Sequence, residues 1–123
     1  MTRLLIPALL GVAAAGEAAA LDEYRWTARP ILVFSAPDDP RLVEQNALFA
    51  ARAEEMRDRC NVLIVAEPDS ELAREYRPGD FTVILVGLDG GEKFRADRIV
   101  APSELEALID LMPMRRQELR RAD

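Results

Sequence analysis

Two short runs of uninterrupted apolar residues, Ile31-Leu32-Val33-Phe34 and Val62-Leu63-Ile64-Val65-Ala66, flank a stretch of helical periodicity. This spacing constrains the fold more than any other feature. A strand exposed on one face alternates polar and apolar residues, so a run without alternation marks a strand covered on both faces, as in a parallel sheet. Between the runs, Asp39-Pro40 supplies an N-cap followed by a proline at the first helical position. Leu42, Asn46, Phe49, Ala53 and Met56 then recur at i, i+4, i+7, i+11 and i+14, with Val43, Ala47 and Ala50 beside them. The pattern predicts one amphipathic helix to about Arg59. Strand, helix, strand is a βαβ unit, with the right-handed crossover that a parallel pair requires.

The rest of the chain adds to this unit. The polar loop Glu67-Pro68-Asp69-Ser70 leads into a short helix from Glu71 to Tyr76, and Phe81 to Leu88 reads as a third strand. Asp89-Gly90-Gly91 is a hairpin turn, because tight turns need positive φ that glycine adopts at low cost, and Glu92 to Asp97 follows as an antiparallel edge strand. Ser103-Glu104-Leu105-Glu106 fits a capping box, with Leu105, Leu108, Ile109 and Met112 at helical spacing behind it until Pro113 interrupts. Ahead of the first strand, Tyr24 and Trp26 are expected to cover an open end of the core. Beyond Pro113, Arg115, Arg116, Arg120 and Arg121 form a basic tail expected to be solvated. The order is β-α-β-α-β-β-α, an α/β domain with a central mixed sheet of about four strands.

Residues 1–20 read differently. Arg3 precedes the apolar stretch from Leu4 to Ala15, and Ala18-Ala19-Ala20 precede the polar Asp22-Glu23. A basic start, a short apolar middle and small residues at a cleavage point are the pattern of a secretory signal peptide. The run is shorter than the roughly 20 residues of a membrane-spanning helix, and no segment of the mature chain is long enough to span. The expected organisation is a signal peptide over 1–20 and one domain over 21–123, located in the periplasm or secreted. Cleavage after Ala20 removes one base and one acid, so the net charge of −6 is unchanged. That charge disfavours nucleic acid, whose phosphates require a concentrated Lys/Arg surface. The chain has no histidine, which removes the commonest general base and neutral metal ligand, and its single cysteine excludes an intramolecular disulfide.

The order of elements resembles that of thioredoxins over nearly the whole mature chain. In that alignment Phe34-Ser35-Ala36-Pro37-Asp38-Asp39-Pro40-Arg41 falls where thioredoxins carry an aromatic strand end and then Cys-Gly-Pro-Cys. Asp38 and Arg41 stand where the two redox cysteines would be, and Pro40 keeps the proline. Arg77 to Val86, running on to Asp89-Gly90-Gly91-Glu92, is similar to the thioredoxin segment of cis-proline, threonine, apolar strand and turn, with Phe81 in place of the cis-proline. More narrowly, Trp26 to Pro37, Gly87-Leu88-Asp89-Gly90-Gly91 and Ile109 to Arg115 resemble small secreted bacterial proteins of unknown function. Their domain, called P-DUDES, is similar to modules of animal matrix proteins, including sushi-repeat-containing ones. The resemblance implies a secreted thioredoxin-like module and supplies no catalytic residues.

Parallel strands joined by a helix point the same way, so the loops after Phe34 and after Ala66 share one edge of the sheet, at which the third strand begins. That edge collects Asp38, Asp39, Arg41, Glu67, Asp69, Arg77 and Asp80 as candidate ligand-binding residues. Converging carboxylates suit a hard divalent cation, but their spacing matches no metal loop, and neither a metal site nor a cofactor is expected. Cys60 starts the second strand at the opposite pole, where a small buried hydrophobe is expected; exposed, it would be a candidate reactive thiol. The leading expectation is a redox-inactive module of binding or structural role, its partner an unidentified protein or small ligand. The alternative is a peroxiredoxin-like or disulfide-exchange protein using Cys60 with a partner thiol.

Overall fold

The computed structural model of the chain describes residues 18–122. The expected signal peptide thus lies outside the described residues, apart from 18–20, which open a 3-10 helix, Ala18–Tyr24. The first strand, β1, is Arg29–Ser35 and is buried along its whole length. Helices α1, Pro40–Ala51, and α2, Ala53–Asp58, lead to β2, Asn61–Ala66. Then come α3, Glu71–Tyr76, and the hairpin of β3, Phe81–Val86, and β4, Glu92–Ala96. Helices α4, Pro102–Asp110, and α5, Pro113–Ala122, close the chain.

The sheet order is β2-β1-β3-β4, with β1 parallel to β2 and antiparallel to β3, and β3 antiparallel to β4. Alternate residues of the central strands face opposite ways, and each set has its own core. Ile31, Val33, Leu63, Val65, Val83 and Leu85 pack with Leu42, Phe49 and Met56 of α1 and α2 and with Leu105 and Ile109 of α4. Leu32, Phe34, Ile64, Ala66, Ile84 and Val86 pack with Leu72 and Ala73 of α3, with Leu21 and Tyr24 against them. The uninterrupted apolar runs are explained by this double coverage. At the hairpin, Gly90 has φ +85, and a Cβ there would meet Arg25 Nε at 3.0 Å.

The expected single helix after β1 is two. At Arg52 the backbone turns to φ −119, ψ 31, and its N–H donates to Phe49 C=O, three residues back. That overtightened turn is of 3-10 type. Arg52 there reaches across to α4, donating from Nε and Nη2 to Glu106 at 2.9 and 2.6 Å. The buried polar residue of α1 is Gln45 rather than Asn46. Gln45 Nε2 donates to Val100 C=O and Val100 N–H donates to Gln45 Oε1, both at 2.8 Å, in a fully buried position.

Three further expectations are corrected. Ser103 is not a cap: α4 starts two residues earlier than such a cap would put it, at Pro102 behind Ala101, and Glu106 is buried in its pair with Arg52 rather than turned back on the helix start. Trp26 is 60% exposed and covers no core, because its backbone takes the left-handed φ of 69 and only Tyr24 turns inward. Arg115 is not part of a solvated tail but buried. Its guanidinium donates to Asp58 Oδ2 at 2.6 Å, Asp110 Oδ1 at 3.2 Å and Glu118 Oε1 at 3.3 Å.

The Gln45 clamp holds α1 to the segment before α4 through two backbone groups that have no access to water. Replacing Gln45 with Leu strands both, at about 1–3 kcal/mol for each unpaired buried group. Thermal unfolding of Gln45→Leu is therefore expected to show a fall in Tm of roughly 10 °C or more, whereas Asn46→Leu changes it far less.

Candidate functional site

The site is built at the end where β1 runs out and α1 begins. Asp39 is the N-cap, and its Oδ1 accepts the Arg41 N–H at 2.9 Å, satisfying one of the free donors of the first turn. The Arg41 side chain folds back on the same carboxylate. Its Nε donates to Oδ1 and Oδ2 at 3.1 and 3.2 Å and its Nη2 to Oδ2 at 2.7 Å. Nη2 also donates to Asp80 Oδ2 at 3.2 Å, on the loop before β3. The guanidinium carbon lies 4.9 Å from the centre of the Phe81 ring, a cation–π distance.

The hydrogen bonds from the Arg41 side chain and backbone hold the Asp39 carboxyl below the usual carboxylate range, against a smaller opposing effect of desolvation. In turn Asp39, with Asp80 behind it, raises the Arg41 guanidinium. Behind the clamp, Gly79 N–H donates to Thr82 Oγ1 at 2.9 Å, and that hydroxyl donates to Asp97 Oδ1 at 2.7 Å. This chain fixes the loop carrying Asp80 to the end of β4.

Of the candidate residues, Asp39, Arg41 and Asp80 are brought together, with Phe81 under them. Asp38 is exposed beside the cap. Glu67 contributes its C=O to Ser70 N–H in the turn that starts α3, and Asp69 is exposed in that turn. Arg77 is the left-handed C-cap of α3, φ 52, its N–H on Ala73 C=O and its side chain exposed. Among the described residues no three Cys, Asp or Glu side chains gather as a metal ion would require. The arrangement is a charge clamp in which one guanidinium is shared between two carboxylates.

Cys60 lies at the other pole, next to Asn61 at the start of β2, with φ 61, and it is exposed rather than buried. Its C=O is held by Arg29 N–H at 2.8 Å, which places the backbone but leaves the side chain outside. The six residues of β2 carry the chain roughly 20 Å from Cys60 to the clamp end of the sheet.

The order of strands and helices is similar to that of known structures. The structure is similar to an uncharacterised thioredoxin-like protein from Clostridium perfringens, with a TM-score of 0.61 and 16% identity over 76% of this chain and 77% of that one. It is also similar to a thioredoxin from Thermus thermophilus, with a TM-score of 0.54 and 23% identity over 80% and 83%. The chain has the thioredoxin-like fold. Within it, residues 65–118 match a domain of unknown function, DUF4174. That span includes the Gly87 to Gly91 turn and the Ile109 to Arg115 segment. No curated protein matches the chain.

Sequence reasoning missed a second charged cluster, at the pole of Cys60. Arg29, 1% exposed, donates from Nη1 to Arg59 C=O at 2.8 Å and from Nη2 to Glu118 Oε2 at 3.1 Å. Arg59 pairs with Asp110 at 2.8 Å, and Arg115 joins Asp58, Asp110 and Glu118. The signal available was Arg29 itself, a charged residue directly before Pro30 and the apolar run of a buried strand.

The clamp makes a titration prediction. A carboxyl whose folded pKa is depressed contributes stability above its unfolded pKa of about 4 and loses it as pH falls through the lower folded value. Carboxyl titration by NMR is expected to show Asp39 ionised below the ordinary aspartate range in the wild type and shifted upward in Arg41→Met. An unchanged Asp39 midpoint in Arg41→Met would show that the side-chain pair is not formed in solution.

Proposed function

We propose that the protein is an exported, redox-inactive thioredoxin-like module that binds a protein or small ligand at the clamp end of its sheet. One observation supports this above the rest. At the helix N-terminus where the resemblance to thioredoxins puts the redox pair, the chain has Asp39, Pro40 and Arg41 locked together, with Arg41 stacked on the Phe81 that replaces the cis-proline. Thiol–disulfide exchange needs a thiolate, which a helix N-terminus favours through its dipole. Here the same dipole is used by a carboxylate cap, which cannot form a mixed disulfide. The resemblance to P-DUDES-type modules and the pattern of residues 1–20 support export and a role outside the cytoplasm.

A second reading, thiol exchange through Cys60, is favoured by the exposure of that side chain. It requires the partner to supply the other thiol, because the chain holds a single cysteine. One assay separates the two. In turbidimetric insulin reduction with dithiothreitol, the purified protein is expected to leave the uncatalysed rate unchanged, with Cys60→Ser indistinguishable from it. Acceleration that disappears in Cys60→Ser would overturn the binding reading and establish the thiol one.

Export has its own test. Mass spectrometry of protein recovered from a periplasmic extract is expected to give an N-terminus at or close to Leu21. An intact Met1 N-terminus on protein found only in the cytoplasm would contradict it.

A further inference from the structure

The pole opposite the clamp holds a half-open cavity of about 280 Å³ whose lining includes Arg29, Leu88, Met112, Pro113 and Met114 and the paired Asp89 and Lys93. Its walls are mostly apolar, and the two methionines give it an adaptable lining, since unbranched thioethers repack around different shapes. Two of its lining residues are cations, Arg29 and Lys93, and one is a carboxylate, Asp89.

The cations differ in how far they are satisfied. Arg29 is almost completely buried, and Glu118 and Arg59 C=O take its two terminal nitrogens. Its Nε is buried with no acceptor among the described residues. A buried N–H without a partner is rare enough to require a reason, and here it belongs to a cation that lines the cavity. Lys93 donates to Asp89 Oδ2 at 3.0 Å in a half-exposed pair. Such pairs contribute little, so the ammonium is free to turn to a better partner. Asp89 is already occupied by Gly91 N–H at 2.9 Å.

We propose that this cavity binds a small apolar monocarboxylate, its tail among Leu88, Met112 and Met114 and its carboxylate at Lys93 above the Arg29 guanidinium. The volume is that of about nine water molecules, which suits a tail of roughly ten non-hydrogen atoms. The site is separate from the clamp, at the other end of β1, and does not depend on whether Cys60 reacts.

The test is isothermal titration calorimetry of the purified protein with decanoate below its micellar concentration, and with decanol as the uncharged counterpart. Decanoate is expected to bind one to one with Kd on the order of 10⁻⁴ M, and decanol several-fold more weakly. Lys93→Gln is expected to weaken decanoate by roughly fivefold. Met114→Glu, which puts a like charge at a partly exposed position of the wall, is expected to weaken it by roughly tenfold or more. Lys93→Arg should retain the affinity. Both weakening changes are at partly exposed residues, and unchanged circular dichroism would confirm that the variants fold. The proposal is overturned by the lack of saturable heat with decanoate, by equal affinity for decanol, or by unchanged affinity in both Lys93→Gln and Met114→Glu.

Discussion

Burial of β1 on both faces is the constraint on which the rest of the structure depends. The strand has β2 on one side and β3 on the other, and none of its seven residues from Arg29 to Ser35 is left exposed. A sheet with such a strand at its middle must be covered twice. On one face α1, α2 and α4 provide the cover, and on the other the short α3 does, with the 3-10 segment contributing Leu21 and Tyr24. At the two ends of the central strands, where this cover stops, charged side chains gather. The clamp at one end and the arginine cluster at the other stand where the central strands β1, β2 and β3, apolar on both faces, run out.

The two ends solve the same electrostatic problem differently. At the clamp end the charges are near the surface and local: Asp39 and Arg41 are two residues apart, and Asp80 joins from the neighbouring loop. Water screens such pairs, and their role is to set the start of α1 rather than to hold the domain together. At the other end Arg29 and Arg115 are buried and share Glu118, while Arg59 and Arg115 share Asp110. A buried guanidinium is costly unless its donors are met. The acceptors that meet the terminal nitrogens here tie β1, the α2–β2 turn, α4 and α5 into one network. Helix α5 has little apolar surface of its own, so Arg115 and Glu118 are what seat it.

The fold was legible in the sequence where local pattern and burial agree. The runs at Ile31 and Val62, the Asp39-Pro40 helix start and the short helix from Glu71 to Tyr76 all stand where the pattern puts them. Three of the seven charged candidates at the clamp end meet in space, and the alignment of loops on one edge of the sheet was enough to nominate them. The reach of Arg41 onto Phe81 was not legible, because it joins residues 41 and 81 through tertiary packing alone. The same is true of the break at Arg52, which no Pro or Gly announces, and of Gln45, one position off the apolar stripe but paired with a backbone far along the chain. Arg29 and Arg115 mislead for a general reason. Composition places arginine at the surface, and only the positions of Glu118, Asp58 and Asp110 in the folded chain make its burial affordable.

The helix N-terminus at Pro40 shows how one scaffold feature can be turned to a different use. A free turn of backbone N–H groups with a positive dipole end stabilises whatever anion sits on it. A thiolate there is a nucleophile. Asp39 meets one of those donors, the Arg41 N–H, with a carboxylate, and the Arg41 guanidinium then pairs with it. Phe81 completes the substitution from the other side. Its ring is fully buried and gives Arg41 a flat face to lie on, where a proline would leave the guanidinium without that support. The replacements are therefore coupled: Asp39 requires a cation, the cation requires a surface, and the loop carrying Asp80 is pinned through Thr82 and Asp97 so that the surface stays in place. A single cysteine introduced at position 38 or 41 would therefore enter a site already organised around the Asp39 carboxylate and its hydrogen bonds to Arg41.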